Sequence, residues 1–74
     1  MKPQTVEIFE HLKRHGSITP AIALREYHSM RLAARIQELR EAGYAIETVI
    51  RTHKRRGEVV RFAEYRYHAS RSAA

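Results

Sequence analysis

Residues Ile18 to Tyr44 read ITPAIALREYHSMRLAARIQELREAGY, and the reading of this stretch decides the fold. Thr19 is a natural N-cap, and Pro20 suits the first helical position, where its missing N–H costs nothing. Ile18 before the cap and Ala23 at the fourth helical position have the spacing of a hydrophobic staple. Ala23, Leu24 and Tyr27 make a short apolar face that runs out at His28, so this helix has only about two turns. Ser29 is placed to cap a second helix that ends at Gly43. There Leu32, Ile36 and Leu39 share one side with Gly43. Opposite them come Arg31, Ala34, Glu38 and Glu41, with Met30 and Gln37 beside them and Arg35 on the shoulder next to Arg31. Arg40 falls nearer the buried side, beside Ala33, and is expected to make a structural ion pair with Glu7 or Glu10.

Upstream, PQTVEIFEHLKRHG puts Val6, Phe9 and Leu12 on one side, with a basic last turn before Gly16. That pattern predicts a helix from about residue 4 to 15. A short extended link then leads to Thr19. Downstream the period changes from helical to alternating: AIETVIRT sets Ile46, Thr48 and Ile50 against Glu47, Val49 and Arg51. HKRRG reads as a polar, basic turn, and EVVRFAEYRYH resumes β-rich sequence. In that last run Val60 and Phe62 share one phase while Tyr65 and Tyr67 share the other. Either a bulge lies near Ala63–Glu64 or one pair sits on the outer face of the hairpin. A lone hairpin is marginal in water, so this one must pack on the helices through Ile46, Ile50, Tyr65 or Tyr67. The tail ASRSAA, residues 69–74, is expected to be disordered. The order is an α+β one, with three helices followed by a packed β-hairpin over residues 4–68: the winged helix-turn-helix arrangement.

The composition narrows the functions available. With 74 residues the chain suffices for one small domain. Without cysteine it has no disulfide and no Cys-based zinc or iron–sulfur site, which fits a reducing compartment. Lys and Arg number 14 against 8 acids, all Glu, for a net charge of +6 and a pI near 10.3. So basic a small domain takes a polyanionic partner, nucleic acid before an anionic membrane surface. No apolar run resembles a signal peptide or approaches the ~20 residues needed to span a bilayer. The chain reads as a soluble, intracellular mini-domain.

Catalysis finds no support: Cys and Asp are absent, the Glu residues are scattered among cations, and no Gly-rich phosphate loop or nucleophile motif occurs. His11 and His15 stand at i and i+4, but no third ligand is near, so neither a metal nor any other cofactor is expected. The tyrosines and phenylalanines lie at core spacings rather than as a base-stacking platform. No enzyme, and no small-molecule substrate, is implied.

Two groups of residues remain. On the third helix, an arginine fork matches guanine O6 and N7 and is the commonest reader of that base. Arg31 and Arg35 are therefore candidates, with Ser29 and Met30 at the helix start, Ala34 leaving room for close approach, and Glu38 accepting from cytosine N4 or fixing an arginine. In the hairpin, residues 51–61 hold five Lys/Arg against Glu58 alone. Arg51, His53, Lys54, Arg55, Arg56 and Arg61 suit phosphate or minor-groove contacts whose strength depends on salt.

GSITPAIALREYHSMRLAARIQELREAGYAIET, continuing to FAEYRYH, resembles the small winged helix-turn-helix proteins of bacteriophages and prophages. The likeness spans about residues 6–68 and is most specific at ITP, ALREY, MRLAARI and LREAGY. It implies a DNA-binding transcriptional regulator, cytoplasmic and nucleoid-associated in a bacterial host. It carries a DNA-facing role onto Ser29 to Arg35 and onto the wing cations. Ser17 and Thr19, at the start of the second helix, are added as phosphate contacts through hydroxyls and helix-end N–H groups. One such module covers little DNA, so a homodimer or a cooperative array is expected. The family pattern departs at Ile22, an apolar residue where a polar one is usual, which hints at a partner contact. Two other roles fit the same resemblance: an excisionase-like architectural factor, and an interaction module that inhibits a host protein. RNA fits a charge of +6 as well as DNA does.

Overall fold

The computed structural model describes residues 2–68. The expectation for the tail, 69–74, lies outside the described residues. Within them the order is α1 (Pro3–His15), β1 (Ser17–Ile18), α2 (Pro20–Tyr27), α3 (Leu32–Glu41), β2 (Ile46–Arg55) and β3 (Glu58–Tyr67). The sheet is antiparallel with strand order β1-β3-β2.

Each helix boundary has a local cause. Gly16 closes α1 at φ 85°, its N–H donating to the Leu12 carbonyl at 2.8 Å. Thr19 caps α2 as expected, its hydroxyl oxygen accepting from the Ile22 N–H at 3.3 Å. His28 ends α2 in the left-handed region at φ 55°, its N–H donating to the Leu24 carbonyl at 3.0 Å, an αL closure made without glycine, while the Ser29 N–H reaches back to the Ala23 carbonyl. Helix α3 starts later than the sequence implies. Arg31 occupies the N-cap position, and Ser29, buried, only accepts a long bond from the Arg31 N–H.

Ile8, Leu12, Ile18, Ala23, Leu32, Ile36, Leu39 and Ile46 form the core, with Ile18 and Ala23 both fully buried as the staple requires. Ile22, expected to be exposed, is half-buried against that core. At the base of the sheet the rings of Phe9 and Tyr44 lie 4.3 Å apart, and Tyr67 meets Phe9 edge-on at 5.4 Å. These aromatics, together with Tyr65, weld the hairpin to the helices.

The phase difficulty in β3 resolves without a bulge. Pairing runs unbroken from Ile46↔Tyr67 to Arg55↔Glu58. Tyr65 and Tyr67 therefore share the core side with Ile46, while Val60 and Phe62 lie on the other face. The turn is shorter than HKRRG: His53, Lys54 and Arg55 belong to β2, and only Arg56 and Gly57 link the strands. Both have positive φ, 51° and 82°, as a type I′ turn demands. From Arg51 to Arg61 every residue is exposed. The outer half of the hairpin is thus an arm reaching about 17 Å past the helices, five residues at roughly 3.3 Å each.

Candidate nucleic-acid interface

Helix α3 presents two different sides to its surroundings. Towards α1, Glu38 accepts a hydrogen bond from the buried Thr5 hydroxyl, pairs with Arg35 at 3.1 Å and meets Lys2 at 3.8 Å. The Thr5 hydroxyl, then the two cations, hold the Glu38 carboxyl below the usual carboxylate range against the opposing effect of desolvation. Arg35 is only 12% exposed in its side chain, and its Nε is buried with no partner among the described residues. Sequence spacing put Arg35 and Glu38 on the outward side. The structure ties Glu38 to Thr5 of α1, a hydrogen bond that a helical wheel of α3 alone does not show, and pairs the largely buried Arg35 with it.

Arg40 is also structural, though not as expected. Instead of pairing with Glu7 or Glu10 it donates through Nε and Nη2 to the Ile46 carbonyl, at 3.0 and 2.8 Å, and through Nη2 to the Thr48 hydroxyl at 2.8 Å. The guanidinium fork thereby ties the end of α3 to the start of β2.

The outward side carries Met30, Arg31, Ala33, Gln37 and Glu41, all exposed, with Ala34 half-buried. Met30 is 86% exposed at the mouth of a shallow apolar groove with Pro20 and Leu24. Arg31 makes no side-chain hydrogen bond or ion pair among the described residues. Gln37 donates to Glu41 at 3.3 Å. Ala33 and Gln37 gained no role as DNA contacts from the sequence, yet their positions three and seven residues after Met30 mark them as its neighbours on this stripe.

On the arm, Arg51 is engaged: its Nε and Nη2 meet Glu64 at 2.9 and 2.8 Å. The Arg51 hydrogen bond is the main reason the Glu64 carboxyl lies below its ordinary range. Arg66 also meets Glu64, at 3.5 Å. Lys54, Arg55, Arg56 and Arg61 make no ion pair among the described residues. Register puts Lys54 and Arg61 on the face that carries Tyr65 lower down, and His53 and Arg55 on the other. The tip is therefore cationic on both faces.

Ser17 lies in β1, opposite Arg66. The Thr19 hydroxyl oxygen is engaged as the cap of α2. Among the histidines, His11 is buried, its Nδ1 2.7 Å from the Tyr27 hydroxyl. Burial, then the nearby His15 and Arg14, push its pKa down. Among the described residues no group of three or more metal-binding side chains occurs. Nor is any helix there long and apolar enough to cross a membrane.

A family model described as "Winged helix-turn-helix domain" matches residues 3–67, and the chain belongs to that family. Such a domain implies binding to double-stranded DNA. No curated protein and no solved structure matches the chain at a significant level.

Proposed function

We propose that this winged helix-turn-helix protein binds double-stranded DNA in a sequence-dependent way and regulates transcription in a phage or prophage setting. Helix α3 enters the major groove with its N-terminal end leading, and Arg31 reads a base edge or the flanking phosphate. The arm lies along the backbone or enters the adjacent minor groove. Thr19 and Ser17 add hydroxyl contacts to phosphate at the start of α2. Two copies, or a row of copies, supply the specificity that one small module lacks.

The observation that carries this reading is the sorting of charge. Glu10, Glu26, Glu38 and Glu64 each lie within an ion pair on the body of the domain, and Glu47 meets His68 there. Lys54, Arg55, Arg56 and Arg61 stand together on a protruding arm with Glu58 as the sole acid between residues 51 and 61. A cationic arm beside an exposed helix suits a polyanion with grooves.

Selection from a random duplex pool, with sequencing, at about 50 and 200 mM salt tests it. An enriched motif is the expected result. Close head-to-tail repeats within it indicate the excisionase-like role, and a palindrome indicates a dimeric regulator. Salt-sensitive binding without a motif assigns a backbone binder or an RNA protein. The exposed Met30 and Leu24 favour a second reading, a protein-interaction module. Absence of binding at both salt concentrations selects that reading.

A further inference from the structure

We infer that Gln37 is the base-selecting side chain of α3 and that the base it selects is adenine. This rests on α3 being the element that enters the major groove.

The other polar side chains of α3 are committed elsewhere. Glu38 is held by Thr5 of α1, Arg35 is largely buried and paired with Glu38, and Arg40 is held against Ile46 and Thr48. What remains on the exposed stripe within the helix is Ala33, Gln37 and Glu41, with Ala34 at its margin. Gln37 is the one side chain in that group that both donates and accepts hydrogen bonds. Ala33 and Ala34 stand four and three residues before it, about 6 and 4.5 Å along the axis. Both are cut back to a methyl group, so base edges can approach α3 beside Gln37 without meeting a longer side chain, and the methyls suit contact with thymine C5-methyl.

Glu41 prepares the amide. One N–H of Gln37 Nε2 is directed at Glu41 Oε2, 3.3 Å away. That contact fixes which end of the amide is nitrogen and leaves one N–H and the carbonyl oxygen unused. One donor beside one acceptor is the complement of adenine N7 and N6–H₂ in the major groove. Guanine offers two acceptors, N7 and O6, so the same amide meets it with one bond made and its carbonyl facing another oxygen. Glu41 is accordingly a positioning residue.

The duplex-pool selection repeated with Gln37→Ala, Gln37→Arg and Glu41→Ala tests the assignment. Both positions are exposed, and unchanged circular dichroism and melting temperature verify that the three variants fold. The wild type should enrich a motif containing an adenine preferred about 5- to 150-fold over other bases. Gln37→Ala should flatten that position alone, Gln37→Arg should convert it to guanine, and Glu41→Ala should weaken the adenine preference while affinity for random DNA is kept. If the wild type and both Gln37 variants select the same motif, Gln37 is no reader, though DNA recognition itself stands. If the wild type selects no motif at all, the assignment falls together with the groove-reading role of α3.

Discussion

Neutralising the tip of the arm is the perturbation whose outcome follows most directly from the geometry. Lys54, Arg55 and Arg56 flank or form the two-residue turn, are exposed, and have no anionic partner among the described residues. If each meets a phosphate, each releases counterions when DNA binds, and contributes about 0.9 to the slope of log K against log salt. Replacing all three by Gln should flatten that slope by about 2.7. Between about 50 and 200 mM salt the wild type should then lose ~40-fold more affinity than the variant, whatever the duplex sequence. Fluorescence anisotropy with one labelled duplex at several salt concentrations reads this directly. Because none of the three side chains is packed, stability should stay within roughly 0.5 kcal/mol. The double substitution Arg51→Gln with Glu64→Gln supplies the contrast. Arg51 is already neutralised by Glu64 at 2.8 Å, so removing both should leave the slope where it was. Parallel lines for wild type and triple variant would take the arm out of the interface and refute the charge argument.

Arg31→Ala should cut discrimination between selected and random duplex by about 1–3 kcal/mol if the fork is bidentate to guanine; equal losses on both make Arg31 a phosphate contact. Arg35→Ala, in contrast, should lower the melting temperature and leave base preference alone, because the side chain it removes is largely buried and paired with Glu38. Thr19→Ala removes the α2 cap and should cost about 1 kcal/mol in urea unfolding. Because His11 has a lowered pKa in the folded state, the unfolded chain takes up that proton first. Stability should therefore be full above pH 6.5 and decline as the pH falls below it towards the folded pKa. Melting curves between pH 7.5 and 5 should show the decline in wild type and a flatter profile in His11→Gln. The depressed Glu38 and Glu64 act in a lower window, their contribution lost only as the pH falls below the ordinary carboxylate value of 4.5.

The elements most legible from sequence were those whose cause is local. Thr19, Pro20 and Gly16 announce their helix boundaries because capping depends on a few consecutive residues, and the structure has each in that role. Alternation in residues 46–50 marks a strand for the same reason. Legibility fails where a distant partner decides. Arg35, Glu38 and Arg40 look outward or ion-paired on a wheel of α3, and it takes Thr5 on α1 and the Ile46 carbonyl on β2 to bind them. The phase change between Phe62 and Tyr65 is equally opaque in one strand: it records that the lower half of β3 turns its aromatic rings to the helices while the upper half has no helices to face. Ser29 misleads as a cap because the left-handed His28 directs the chain inward before α3 begins. Of the candidate contacts, the unpaired arm cations were visible in composition alone. Gln37 was hidden, since its prominence depends on its arginine neighbours being occupied.

The unbroken pairing from base to tip has a consequence for how this protein can be altered. No core residue lies beyond Ile50, and register repeats every two residues on each strand. Adding or deleting two residues per strand below the Arg56–Gly57 turn therefore changes the span of the arm by about 7 Å while every remaining side chain keeps its face. A single-residue change in each strand would instead swap Lys54 with Arg55 across the two faces and present a different charge pattern on each. Reach and facing can thus be varied separately from the body, which makes the hairpin a ruler graduated in pairs of residues.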